Sequence, residues 1–494
     1  MAGIITNELE MNSLSYNFHR KALIWSSRCL EEPELIRDKV IILNFDTPLY
    51  IAAFVSIHNP LGVILVKSGK NNHLSIYFND NLIPNRSVSF GLMEIQNSIN
   101  FLDQSVEDFK KLKYHWNHES NHSSKNIHTD IGLKYLANIG SIEGAELASR
   151  FNANGIGIIR SEFVAVRCLG ELLFERYEDG SLVFDIINKS NEITAITKIA
   201  KDKNLSKKMS YKLETLLLYC LNKFPEDEVV IRSIDLEETP YDHMGFRGVR
   251  RSFQEDWPFF RLMINCIVQI IKSDPEKYNS RLGVLIPLVS SYIQIKKAYS
   301  LLMESGLEIK SKDNKGHFNI NFGWKVEQPS SVINFNYWIE NFKLDFGYLP
   351  SIIGIGTNDL TQFTLAVDRN LTDYQEPSEK DGNKQLLYNE WDFSIIRQLF
   401  VIAKLCSNYG INPYLHGELA SVPQFAPIVK LLGLTPSLSS TKLQLFITNI
   451  SKANDDWQVN GIEKWLEYYS NEHLRHYHKI IRIKMVEELR KILS

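Results

Sequence analysis

Residues 352 to 369 read IIGIGTNDLTQFTLAVDR. The first five are apolar with paired isoleucines, the composition of a strand buried on both faces. Gly-Thr-Asn-Asp ends that run, a polar loop follows, and Arg369 stands ten residues after Asp359. A carboxylate at this place is suited to hold a divalent metal. Asn358 and Arg369 are suited to bind an anionic group beside it, since an arginine fork matches paired oxygens. The stretch carries the equipment of a site for a metal-bound phosphate.

The same strand-then-polar pattern recurs along the chain. Candidate strands are KYLANIG (134–140), GIGIIR (155–160), VVIR (229–232), GVLIPL (283–288), INFGWKVE (320–327), IIGIG (352–356), INPYLHG (411–417) and TPSLS (435–439). Helical periods fall between most of them, at 141–151, 259–273, 293–305, 395–410 and 422–433. Eight strands with intervening helices predict a (β/α)8 barrel, an α/β fold. The polar motifs cluster at the C-terminal strand ends, where such barrels keep their active sites. The polar segment Lys189–Ser210 reads as a surface excursion.

Ahead of the barrel, residues 1–34 read as a helical lead-in and 35–112 as a small α/β unit. VIIL (40–43) and GVILV (62–66) are its buried strands. Residues 113–129 are polar, few in apolar anchors, and read as a linker, with His115, His118, His122 and His128 solvated. The barrel is expected over 130–454, and 455–494 as a helical extension packing on the barrel or on a second subunit.

Bulk properties narrow the function. The 494 residues are 44% apolar and 23% charged, with a formal net charge of −3. That charge gives no general attraction to nucleic acid or an anionic membrane. No apolar run is long enough to span a bilayer, and MAGIITNELEMNS lacks the pattern of a signal peptide. The five cysteines are scattered without a CxxC pair, as in reduced cytoplasmic proteins. A cytoplasmic protein is the expectation.

The motif segments, in order, resemble the phosphoenolpyruvate (PEP)-utilising enzymes, a family that includes PEP synthase, pyruvate phosphate dikinase and enzyme I of the sugar phosphotransferase system. The resemblance covers about residues 130–450. GIGIIRSEF (155–163) is similar to the family's GIGLxRTEF, VVIRSID (229–235) to VxxRTLD, and MGFRGVRRS (244–252) to LGxRGIR. KVEQPSS (325–331) is similar to MxExP. GTNDL and VDRN complete the set. The resemblance implies a barrel of the PEP/pyruvate type and a transferase that uses PEP or pyruvate with Mg²⁺. It implies Arg160, Arg232, Arg247, Asn358 and Arg369 on the substrate, and Glu327 and Asp359 on the metal.

The chain departs from the family at YLHGELAS (414–421), which aligns with MCGELAG. The family's cysteine, which moves the carbon-bound proton of enolpyruvate, is replaced by His416. Three readings follow. His416 performs the proton transfer, since imidazole titrates near neutrality; or the site binds PEP or pyruvate as a regulatory protein; or the enolate is captured in altered pyruvate-enolate chemistry. A second departure follows IRSID, where LEETPYDHMGFRG replaces a glycine-rich loop.

GVILVKSGKNNHLSIYFNDNLIPNRSV (62–88) is similar to the family's swivelling phosphohistidine domain, GIVxxxGGxTSHAAIVARxLGIPAVVG. Gly62, Gly69, His73, Ile76, Ile83 and Pro84 fall on equivalent positions, while Asn71-Asn72 and Leu74-Ser75 differ. The resemblance makes His73 the phosphoryl carrier. About a hundred residues precede the barrel, leaving no room for an ATP-grasp or carrier-binding helical domain. The expected enzyme is a PEP-synthase-like phosphotransferase that moves a phosphoryl group between PEP and His73. Its nucleotide-binding or phosphocarrier partner would act in trans, and a homodimer through the barrel is expected.

Overall fold

The computed structural model describes residues 22–25, 28–44, 47–66, 73–88, 99–114, 133–236, 247–254, 256–309, 317–368, 375–377, 384–448, 450, 461–475 and 477–493. The first unit is a parallel sheet of four strands in sequential order: β1 (Ala22–Ile24), β2 (Val40–Asn44), β3 (Gly62–Val66) and β4 (Asn85–Val88). Of the lead-in read as helical, residues 1–21 lie outside the described residues and Arg28–Glu31 is helical, but Ala22–Ile24 is strand β1, a local correction. Three residues are too few to carry a period; they are strand because the open edge of β2 offers their backbone partners, Val40 to Ile42.

Alternation sorts the sheet's two faces. Val40, Ile42, Ile64 and Val66 point one way, to Val106 and Phe109. Those two residues lie on the helix Ile99–Tyr114. Ile41, Leu43, Val63 and Leu65 point the other way and join the main core. That face meets α1 (Leu49–Ile57), which follows β2, and α2 (His73–Asp80), which follows β3.

Helix α1, LYIAAFVSI, is apolar on all sides and buried from Leu49 to Val55. Such a helix needs cover on all sides. The sheet supplies one side. The other is supplied by α3 (Ser161–Leu172), a helix of the following unit. A Cβ on Gly170 of α3 would stand 3.0 Å from Phe54 N and 3.1 Å from Ala53 Cβ, so glycine permits the close approach.

Three further helices, Val183–Lys189, Glu192–Lys201 and Leu205–Lys223, occupy the segment read as a surface excursion. That reading is corrected: Ile193, Ile196, Ile199, Leu205 and Met209 are buried in the main core. The polar side chains between them face outward on a 3.6-residue period, which made the segment look hydrophilic. Glu192 also serves α1 directly. Pro48 at the N-cap of α1 offers no capping side chain. Glu192 accepts from Tyr50 N at 2.7 Å and also from the Leu49 amide. Tyr50 Oη donates to Asn188 Oδ1 at 3.2 Å.

The second unit is a closed, all-parallel barrel of eight strands: β5 (Leu136–Ile139), β6 (Ile156–Arg160), β7 (Val229–Arg232), β8 (Leu282–Ile286), β9 (Asn321–Val326), β10 (Ile352–Gly356), β11 (Asn412–His416) and β12 (Thr435–Ser439). Each predicted strand is present, and β12 closes on β5. Leu136, Ile158, Val230, Leu285, Ile352 and Tyr414 form an apolar plug inside. Two residues further along, the inward position becomes Asn138, Arg160, Arg232, Gly354 and His416. The plug is the floor on which the polar layer stands. The C-terminal helices Gly461–Glu472 and Lys479–Leu493 follow the barrel. Trp465 Nε1 donates to Gln424 O at 3.1 Å and Tyr469 Oη to Trp391 O at 2.8 Å. Among the described residues no helix is long and apolar enough to cross a membrane.

Burial pushes the Glu192 carboxyl up to about 7 from 4.5, against the pull of its two backbone bonds. Between those values the folded chain keeps a proton that the unfolded chain releases, so stability falls as pH rises. Glu192→Gln keeps an acceptor and should flatten that slope. Glu192→Ala should cost about 1–2 kcal/mol, because the α1 amides lose their acceptor. Urea midpoints of the three proteins across pH check both outcomes.

Candidate active site

The cleft at the C-terminal mouth of the barrel measures about 550 Å3 including its open side. Asn138, Arg160, Glu162, Phe163, Arg232, Asp235, Arg247, Lys325, Asn358, Asp359 and His416 line it. Arg160 and Arg232 face each other across paired strands β6 and β7. Asn358 and Asp359 sit in the first turn of the helix Thr357–Leu365, which follows β10. The loop after it secures that turn. Glu390 accepts from Thr357 Oγ1 at 2.8 Å, and Tyr388 Oη donates to Asn358 O at 3.1 Å.

The charges are buried and paired. Arg232 binds Glu162 through Nη2, and its Nη1 lies 3.0 Å from Asp235 Oδ2. Arg247 binds Asp359 through Nη2, with Nη1 3.7 Å from Asp235 Oδ1. Lys325 Nζ binds Glu327 Oε1, and Leu288 N donates to Glu327 Oε2 at 2.8 Å. Arg232, Arg247, Lys325, Glu162, Asp235, Glu327 and Asp359 are all buried. Burial raises the Glu162 carboxyl, and Arg232 partly offsets this. Burial also pushes the Glu327 carboxyl up and the Lys325 ammonium down, while each draws the other back.

Glycines make the room for these groups. A Cβ on Gly356 would lie 2.6 Å from Glu327 Oε1, and one on Gly354 would lie 3.0 Å from His416 Cδ2. Among the described residues, several cleft-lining polar atoms have no hydrogen-bond partner: Glu162 Oε2, Arg232 Nε and both ring nitrogens of His416. Leaving such atoms buried costs stability, and their gathering at one cleft marks a place for a polar ligand.

Of the residues expected from sequence, Arg160, Arg232, Arg247, Asn358, Asp359 and His416 line the cleft. Glu327 stands behind it, against Lys325 and Gly356. Arg369 lies outside the described residues, as do the four linker histidines. His73 opens α2; its side chain lies outside the described set. Sequence reasoning missed Glu162, Asp235 and Lys325. All three were in the quoted motifs, as the Glu of RSEF, the Asp of RSID and the Lys of KVEQP, and the first two share the buried network of Arg232.

The fit of a divalent metal can be judged from the donors. Magnesium is held at 2.0–2.1 Å by one or two carboxylates, with waters and substrate oxygens filling the octahedron, so each of those carboxylates must offer it an open oxygen. Here both oxygens of Glu327 are engaged, one by a cation, and Arg247 sits on Asp359. The arrangement does not fit Mg²⁺.

His416 is buried, and burial holds its pKa well below 6.5, reinforced by the charges of Lys325, Arg232 and Arg160. Both effects favour the neutral imidazole, against the expectation of a side chain titrating near neutrality.

The family model for the PEP-binding domain of PEP-utilising enzymes matches residues 116–454. This chain belongs to that family. Among PEP-utilising relatives, the PEP synthase of Pyrococcus furiosus is 26% identical over 305 residues, 61% of this chain and 32% of that one. A PEP-protein phosphotransferase of Buchnera aphidicola (subsp. Acyrthosiphon pisum) is 24% identical over 316 residues, 63% of this chain and 46% of that one. The chain spans about a third of the PEP synthase and under half of the phosphotransferase. A malate synthase of Haloferax volcanii, in ternary complex with pyruvate and acetyl-CoA, superposes with a TM-score of 0.32 at 11% identity, covering 53% of this chain and 65% of that one. That superposition is too loose to bear on function.

The neutral His416 predicts a pH dependence. Below about 6.5 the unfolded chain takes up a proton that the folded site refuses, so stability falls as pH falls. The slope from this residue should approach about 1.4 kcal/mol per pH unit. His416→Cys should remove that part of the slope, read from urea midpoints between about pH 5 and pH 7.

Proposed function

We propose that this chain binds PEP or pyruvate in the barrel and moves a phosphoryl group between that ligand and His73. The observation that carries the reading is the contact between α2 and the cleft wall. Tyr77, one helical turn after His73, packs edge-on against Phe163 with ring centroids 5.1 Å apart. Phe163 lines the cleft, and the Arg160 guanidinium stands 5.5 Å from its ring centre. The helix that His73 opens therefore abuts the cleft that holds the arginines.

In the forward direction the bridging P–O bond of PEP breaks as an N–P bond forms on the His73 imidazole. The enolate left behind gains a proton at carbon to become pyruvate. Arg160, Arg232 and Arg247 offset the phosphoryl charge, and Asn358 donates to its oxygens. An incoming anion offsets the cations around His416 and raises its proton affinity. The imidazole then takes up a proton from solvent and, as imidazolium, delivers it to the enolate carbon in place of the family's cysteine, returning to the neutral form. The phosphoryl group on His73 then passes to a nucleotide-binding or phosphocarrier partner acting in trans.

A second reading, a regulatory protein that binds PEP or pyruvate without turnover, draws on the pairing of Glu327 and Asp359 with Lys325 and Arg247. Intact-protein mass after incubation with PEP, with and without Mg²⁺, separates the two. Wild type should gain an acid-labile phosphoryl group and His73→Ala none. Arg232→Gln should slow the gain by about 100-fold or more. No adduct on wild type under either condition would sink the transfer reading in favour of the second.

A further inference from the structure

We propose that Lys325 is the built-in cation of this cleft, and that PEP or pyruvate binds here without a divalent metal. The inference rests on the reading that the barrel takes these ligands. It starts from the inward face of β9. Gly323, Lys325 and Glu327 alternate with outward residues, so Lys325 and Glu327 share one face. Lys325 Nζ lies on Glu327 Oε1, and the ammonium also feels Asp359 and Arg232. The Lys325 ammonium is therefore paired with one of the two carboxylates that the family motifs assign to a metal, and lies in the field of the other.

The remaining donors reinforce this. Leu288 N holds the other oxygen of Glu327 at 2.8 Å, and Arg247 holds Asp359. A divalent ion entering here would have to displace an ammonium and a guanidinium that are both buried. Lysine cannot coordinate a metal while protonated, but it donates three hydrogen bonds as a compact point charge. Two of those bonds remain for a ligand once Glu327 has taken one. Lys325 lines the cleft beside Arg232 and His416. A carboxylate or enolate oxygen of a small 2-oxo acid or its enol phosphate is the matching partner. The position is methionine in the motif MxExP and lysine in KVEQP. A charge has thus been introduced where the motif has a thioether.

The test measures metal and anion separately. Mn²⁺ binding to the full chain is followed by electron paramagnetic resonance. PEP binding is followed by calorimetry in EDTA and again in Mg²⁺. Wild type should bind no stoichiometric Mn²⁺, and its PEP affinity should differ by less than about twofold between the two conditions. Lys325→Met should weaken metal-free PEP binding by about tenfold or more, and should gain Mn²⁺ binding at the freed Glu327. Lys325→Arg keeps the charge and should stay metal-free, a control if the methionine variant is poorly folded. Stoichiometric Mn²⁺ on wild type, or PEP binding that requires Mg²⁺, overturns the inference while leaving the PEP reading intact. No PEP binding in either condition, with no Mn²⁺ bound, overturns the PEP reading and the anion half of this inference with it.

Discussion

The architecture depends on setting a layer of charge on top of a dry apolar plug. Glu162, Arg232, Asp235, Arg247 and Asp359 form a continuous chain of ion pairs across the mouth of the barrel. Each member is buried, and a buried charge without a partner is far costlier than a buried pair. The chain is therefore self-enforcing: removing any link strands its neighbours. It also fixes the arginines in direction, because the two terminal nitrogens of Arg232 reach Glu162 and Asp235 and those of Arg247 reach Asp359 and Asp235. The closed barrel, with its strands locked in parallel register, provides the stiffness that such pairing needs.

Much of this was legible in the sequence because the barrel repeats one physical idea. Runs such as VVIR and IIGIG are short, β-branched, and end in or lead straight into polar residues. Period-two alternation then predicts that Arg232 and His416 point inward above Val230 and Tyr414. The partners of these residues were harder to see. Glu162 and Asp235 lie just past strand ends, where the chain turns and periodicity no longer says which way a side chain faces. Lys325 was visible as a change of residue type, but its proximity to Glu327 follows from strand geometry that motif matching ignores. Segment 189–210 was misjudged for a different reason: its helices are amphipathic, and a polar average hides an apolar stripe. Strand β1 is a product of tertiary context alone.

The small sheet and the barrel are joined by more than a chain connection. Apolar α1 is shared between them, and the barrel-side Glu192 supplies the N-terminal acceptor that α1 lacks. The α2 helix that His73 opens reaches the cleft from the same docked face, through Tyr77 and Phe163. One junction thus seats the small unit and brings its α2 helix, through Tyr77, against the cleft-lining Phe163.

The glycine at the crossing of α1 and α3 has a thermodynamic consequence. Because Gly170 lets the two helix backbones nearly touch, no layer of water or flexible side chains separates the units there. Their cores are one cluster, running from Ile41 through Phe54 to Leu169 and on into the barrel. Units that share a core cannot melt independently, since opening either one exposes the apolar face of the other. The described part of the chain should behave as a single cooperative block. Transient release of the small unit then carries the free energy of exposing a helix that is greasy on every side.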